Sequence, residues 1–284
     1  MEKTIENQHF EEERALYGIS DTEVRHCTFG GPIDGESALK ETNEIAVIDC
    51  DFKMRYVLWH VNDFRLERVT MDSSTRAALW YCEDGVIVDS KLHGIKVLRE
   101  CKGINVDRSD IVSDEFAWRC DDLKLNECTV SSVYPFFQCT DLELTGVKLQ
   151  AKYACQYVND ARILDCRFET KDALWHSKDV TVEDSVIDGE YMAWYSENLT
   201  LIRCVIKGTQ PFCYCKNLKL VDCELINADR AFEYSSVHAK IKGRVESIKN
   251  PLSGKIEADE VGEIIREGSV KRCHCDIVIG GKEQ

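Results

Sequence analysis

The sequence predicts an all-β chain wound as a parallel β-helix of about eleven coils, each close to 19 residues long. Three observations point there: a fixed internal repeat, an alternating apolar pattern inside each repeat, and a repeat too short to hold a crossover helix.

The repeat emerges on aligning the Cys or Ser that follows each "LxL"-like pair. The anchors are Ser90, Ser109, Cys128, Val147, Cys166, Ser185, Cys204 and Cys223, seven steps of 19 residues. Upstream, Val69, Cys50 and Cys27 continue the series with steps of 21, 19 and 23, which places short insertions there. Self-similarity at about this period marks a solenoid, and the Asn-centred signature of leucine-rich repeats is missing. Inside a unit such as "NLKLVDCEL", Leu218, Leu220, Cys223 and Leu225 point inward while Lys219 and Glu224 point out. Alternation over short runs means half-buried strands. A strand–helix–strand unit needs roughly 30 residues, so these coils are strands and turns. Stacked coils lie roughly 4.8 Å apart, so like residues fall on like residues.

Residues 1–24 precede the repeat and are expected to cap the first coil. Coils occupy 25–245, and 246–284 form a C-terminal cap or tail where the pattern decays, all within one structural domain. Caps cover the open ends of a solenoid.

The chain has 284 residues, 44% hydrophobic and 31% charged, enough apolar content for a substantial core. No run of 18 apolar residues is present and "MEKTIENQHFEEER" is not a signal peptide, so a cytoplasmic location is expected. A net charge of −15 disfavours nucleic acid, anionic membranes and polyanionic sugars such as pectate, while leaving room for a local basic patch. Eleven of the 15 cysteines fall in two columns, the anchors and a second series containing Cys82, Cys101, Cys120, Cys139 and Cys215. Reduced Cys acts there as a small hydrophobe filling a narrow interior corner. Stacked Cβ atoms roughly 4.8 Å apart exceed the disulfide optimum of about 3.8 Å. No paired CxxC is present and "RCHCD" reads as a tail strand, so no metal and no cofactor are expected.

Two columns lie nine and ten residues beyond the anchors, allowing for the insertions. The first holds Lys40, Trp59, Trp80, Arg99, Trp118, Phe137, Gln156, Trp175, Trp194, Cys213 and Phe232, including all five tryptophans. The second holds Glu41, His60, Tyr81, Glu100, Arg119, Gln138, Tyr157, His176, Tyr195, Tyr214 and Glu233 and has no aliphatic member. The preceding row, from Leu39 and Leu58 to Phe212 and Ala231, is wholly apolar and suits the interior. Either a local bend turns the Trp and polar columns outward together, or the Trp rings pack as core or wall. Exposed, they form a strip of aromatic and planar polar groups suited to a sugar or another small ligand. Its binding candidates are Lys40, Trp59, Trp80, Tyr81, Trp118, Gln138, Tyr157, Trp175, Trp194, Tyr195 and Tyr214.

For catalysis, glycoside hydrolysis uses two carboxyls roughly 5 to 9.5 Å apart. Glu41 and Glu100, three coils apart at roughly 14 Å, do not meet that requirement. Glu41 with His60, and Glu100 with Arg119, are neighbours at about 5 Å and read first as cross-strand ion pairs. A proton-transfer role for His60 or His176 stays open because imidazole titrates near neutrality. A further column, Asp63, Asp84, Gly103, Asp122, Asp141, Asp160, Asp179, Asn198 and Asn217, reads as a turn ladder.

The stretches "ALYG" (Ala15–Gly18), "DGESALKE" (Asp34–Glu41), "RYVLWH" (Arg55–His60), "RAALWY" (Arg76–Tyr81), "YPFFQ", "GTQPFCYCKNL" and "SIKNPLSGKI" carry a likeness over almost the whole chain. Together they resemble an uncharacterised bacterial family of pectin-lyase-like, single-stranded right-handed β-helix proteins. The resemblance implies a right-handed helix and supplies no established reaction. The wider superfamily includes polysaccharide lyases and hydrolases acting on an outer face, but their "NTD…DD…GHG…RIK" series is absent here. The expected function is binding, or processing as a lyase or hydrolase, of a carbohydrate on the strip. A non-catalytic scaffold that meets a protein partner through the same face is the alternative. A third reading is an enzyme site at the Lys40, Glu41, Trp59 and His60 end, beside the "GGPIDGES" loop.

Overall fold

The structure is a computed structural model describing residues 1–31 and 35–283. The binding feature expected of the "GGPIDGES" loop falls partly on 32–34, which lie outside the described residues. Every regular element described is a strand, and the chain is a parallel β-solenoid. It makes about 14 turns, against the eleven expected. The difference arises where the anchor pattern is absent but the chain still coils. Lys3–Glu6 pairs in parallel with Ser20–Arg25, and Ser236–Lys249 pairs in parallel with both Leu218–Ile226 and Ser253–Ile265, across register shifts.

The coils group into two compact units, Met1–Glu143 and Leu144–Gln284. In the first, six-residue strands such as Asn43–Ile48, Asn62–Glu67, Glu83–Val88, Lys102–Asp107 and Asp121–Asn126 stack in parallel. The step between Asp110 and Thr129, or between Ile104 and Leu123, is the 19-residue period made physical. The row Val24, Val47, Leu66, Ile87, Val106 and Leu125 is in register and buried. Apolar burial of this kind supplies about 25 cal/mol per Å² and drives the stacking. In the second unit, Asn159–Leu164, Lys178–Glu183, Glu197–Ile202 and Leu218–Ile226 repeat the arrangement around Ile163, Val182, Leu201 and Leu220.

Each coil turns at residues of positive φ. The Asp/Asn turn column has it throughout: Asp63, Asp84, Asp122, Asp160, Asp179, Asn198 and Asn217 lie between 49° and 58°. These side chains tolerate the left-handed region better than most. Asn198 Nδ2 donates to Asp179 Oδ1 at 2.6 Å and Asn217 Nδ2 to Asn198 Oδ1 at 2.9 Å, so amides relieve stacked like charges.

The anchor corner has a polar reason as well as a steric one. Cys128 Sγ donates to the Asn126 carbonyl at 3.3 Å and Cys204 Sγ to Ile202 at 3.3 Å, while Ser109 Oγ donates to Asp107 at 2.9 Å and Ser185 Oγ to Glu183 at 2.7 Å. Cys and Ser interchange because either small side chain fits the corner and finds a backbone carbonyl for its own hydrogen; the same carbonyls also accept backbone N–H groups from the preceding coil, such as Arg108 N–H at Asn126 and Asp184 N–H at Ile202.

Candidate functional site

The third side of most coils is a turn, and that is why simple alternation misplaces it. In the first unit Ala117 and Arg119 have φ of 54° and 56°; in the second, Leu174 and His176 have 59° and 54°, and Ala193 and Tyr195 both have 61°. The first member of each pair is buried and the second exposed. The tryptophan between them is half-buried, neither core nor freely exposed.

A repeated hydrogen bond fixes those indoles. Trp118 Nε1 donates to the Tyr134 carbonyl at 2.7 Å, Trp175 Nε1 to Tyr191 at 2.5 Å and Trp194 Nε1 to Gln210 at 2.8 Å, each sixteen residues on. Gln156 occupies the Trp column because its Nε2 makes the same bond, to the Asp172 carbonyl at 3.0 Å. Trp59 and Trp80 depart from the rule: their buried Nε1 atoms have no partner among the described residues.

In the first unit the cations of the Trp column sit on rings. Lys40 Nζ lies 4.1 Å from the centre of the Trp59 ring, and the Arg99 guanidinium lies 5.7 Å from that of Trp80 and 5.1 Å from that of Trp118. Cation–π attraction offsets the burial that makes a cation unfavourable in this column. Arg99 also pairs with Glu115 at 3.3 Å. Beside it the polar column forms two clusters. His60 Nδ1 is 3.0 Å from Glu41 Oε1, and the His60 ring lies 5.3 Å from Tyr81. Arg119 reaches Glu100 at 3.9 Å and donates through Nε to Gln138 Oε1 at 3.1 Å. Glu41 and Glu100 are not brought together.

In the second unit the polar column is a ring ladder. Tyr157 and His176 stack at 4.9 Å and 6°, His176 and Tyr195 at 5.0 Å and 7°, and Tyr195 and Tyr214 at 4.7 Å and 7°. Trp175 and Trp194 run alongside at 5.3 Å and 3°. The coil spacing suits this stacking, and each pair adds about 0.5–1.5 kcal/mol beyond burial. Ring faces expected to meet a sugar are therefore covered by neighbouring rings, and edges and hydroxyls are what this row offers. Tyr157 and Tyr195 remain 46% and 47% exposed. Among the described residues His176 has no carboxylate partner.

Sequence reasoning missed Asp172, which is only 8% exposed and has a buried Oδ1 without a partner among the described residues. Burial pushes its carboxyl above the usual range; Lys171 opposes this, Glu190 adds to it, and Lys152 opposes it. The available signal was its column, where Tyr134, Tyr153 and Tyr191 occupy the matching positions of other coils. Shallow hollows of about 270 Å³, beside Lys219, His238 and Lys255, and about 330 Å³, beside Asp21, Asp63 and Arg65, lie off the two columns. Among the described residues no group of three His, Cys, Asp or Glu is placed to hold a metal, and no helix is long and apolar enough to cross a membrane.

One family model, "Protein of unknown function (DUF3737)", matches residues 3–278, in keeping with the resemblance to an uncharacterised family. No curated protein matches. Among solved structures, the surface adhesin PfbA of Streptococcus pneumoniae is 9% identical, with 99% of this chain and 87% of that chain covered and a TM-score of 0.43. The A-module of the Azotobacter vinelandii mannuronan C-5 epimerase AlgE6 is 8% identical, covering 97% and 87%, at 0.36. The catalytic domain of a GH87 α-1,3-glucanase in complex with nigerose is 9% identical, covering 96% and 63%, at 0.26. At these TM-scores the likenesses carry no weight for function.

Proposed function

The chain belongs to the DUF3737 family, and for this member we propose a carbohydrate-binding function centred on the strip of the second unit. The observation that carries the proposal is the in-line row Tyr157, His176, Tyr195 and Tyr214, stacked at 4.7–5.0 Å. Such a row offers phenol hydroxyls and an imidazole at one regular spacing, flanked by half-buried Trp175 and Trp194. A hydroxyl-rich chain laid along it meets a polar partner at every step, with apolar ring edges beneath. The net charge of −15 favours a neutral or cationic sugar over a polyanionic one. A cytoplasmic setting is part of the proposal, supported by thiols such as Cys128 and Cys204 that bond to carbonyls.

A glycan array followed by calorimetry tests this reading. Tyr195→Phe keeps the ring and removes the hydroxyl, so a tenfold or greater loss of affinity is expected if edges bind. Unchanged affinity in that variant, with loss in Tyr195→Ala, places the sugar on ring faces. No glycan bound, together with a protein captured through Tyr157 and Tyr195, replaces the sugar with a protein partner.

A further inference from the structure

Along the coils an exposed cation usually meets an acid one period away: Arg68 with Asp49 at 2.6 Å, Arg108 with Asp89 at 2.9 Å, Lys124 with Glu143 at 3.3 Å and Arg203 with Asp184 at 2.7 Å. Near the end of the second unit this pairing stops. Lys219 lies in register between Thr200 and His238, and His238 lies between Lys219 and Lys255. That column reaches a carboxylate only at Asp276, beside Lys255. Among the described residues Lys219 and His238 have no carboxylate partner. Both open onto one hollow of about 270 Å³, which Lys240, Lys255 and Glu257 also line. Leu220 and Ala239, both buried, complete its lining. Lys240 is offset by Asp222 at 3.0 Å and Lys255 by Glu257. The excess positive charge therefore sits on Lys219 and His238. Cations stacked roughly 4.8 Å apart repel, and an anion seated among them turns that repulsion into attraction.

We propose that this hollow binds a phosphate group, carried by a small phosphorylated molecule or free as inorganic phosphate; the site lies off the strip and does not depend on the carbohydrate reading. A phosphate offers three oxygens in three directions. The Lys219 and Lys255 ammoniums and a His238 ring N–H supply donors from three successive coils. The net charge of −15 does not prevent this, because salt at physiological strength screens distant charges beyond about 8 Å. Size is limited by the surroundings: Asp222 and Asp276 flank the cations, so a long polyanion laid across the face would run onto acids. The apolar lining from Leu220 and Ala239 gives the organic part of a phosphate monoester something to cover.

The test is calorimetric titration of the whole protein, at low ionic strength, with inorganic phosphate and separately with glucose 6-phosphate. Wild type is expected to show saturable binding at a single site. Lys219→Gln and His238→Gln should each weaken it about fivefold, the loss of one charge-assisted bond at an exposed site. Both side chains are exposed, so neither variant should melt differently from wild type without ligand. Lys148→Gln, an exposed lysine outside the hollow, should bind as wild type does. Phosphate should raise the melting temperature of wild type and not that of Lys219→Glu, which puts an acid beside His238. Tighter binding of the ester supports the site and assigns it to a phosphorylated small molecule; equal binding supports it and assigns it to free phosphate. No saturable binding of either probe overturns the proposal. So does binding that Lys219→Gln and His238→Gln leave unchanged, or that Lys148→Gln weakens to the same extent.

Discussion

Replacing Trp175 and Trp80 separately by Phe distinguishes an indole that closes a hydrogen bond from one that does not. Both rings are half-buried, so the loss of apolar contact is similar in the two variants. Trp175→Phe also removes the donor to the Tyr191 carbonyl, a bond of 2.5 Å that is only partly buried. Loss of such a bond costs about 1 kcal/mol, the lower end of the range for stranding a polar group. Trp80→Phe removes a buried N–H that has no partner, relieving about 1 kcal/mol. The two variants should therefore differ by about 2 kcal/mol, or roughly 4 °C in melting temperature for a chain of this size. Urea titration followed by far-ultraviolet circular dichroism, with calorimetric melting as a check, measures the gap. If Trp80→Phe proves as destabilising as Trp175→Phe, the indole-to-carbonyl account of the column is wrong.

Other outcomes follow from the same geometry. Gly189→Ala places a Cβ about 1.5 Å from the Thr170 carbonyl oxygen and should greatly lower or abolish folding, while Gly243→Ala, with φ of 76° and open space around it, should lose about 1 kcal/mol in a melt. Burial raises the thiols of Cys50, Cys213 and Cys215 from 9.0 to about 12. A pKa raised by folding gives stability that is full below the unfolded value and lost as pH climbs toward the folded one. The urea midpoint should thus fall between pH 9 and 12, and a flat profile there would contradict the burial of these groups. Asp172→Asn should raise the urea midpoint at neutral pH, corresponding to about 1 kcal/mol, because it removes a charge from a site that cannot solvate it; a lower midpoint would show that the carboxylate has a stabilising partner.

The winding of the chain was legible because a small residue, Cys, Ser or Val, returns every 19 residues from Ser90 to Cys223, and the narrow corner admits nothing larger. The turns beyond the anchors were not: Lys3–Glu6 and Ser253–Ile265 coil with side chains that break the pattern. The strip was legible as a set of columns but not as a surface. Its bends place Ala117, Leu174 and Phe212 at positive φ, where no glycine announces the turn. Contacts between adjacent coils, such as Glu41 with His60 and Arg119 with Gln138, follow directly from register. Asp172 stayed hidden because it lies outside the columns that the repeat singled out; only the packing of neighbouring coils closes over it.

The indole bonds reach forward by sixteen residues, while anchor thiols such as Cys204 also reach back to the preceding coil, at Val182. Excising or duplicating a whole period leaves both kinds of link with a proper mate, whereas a change of any other length strands them. Genes for such proteins are thus free to shorten or lengthen in units of one rung. Each step would alter the ring row by a single member, making its length a heritable, countable trait.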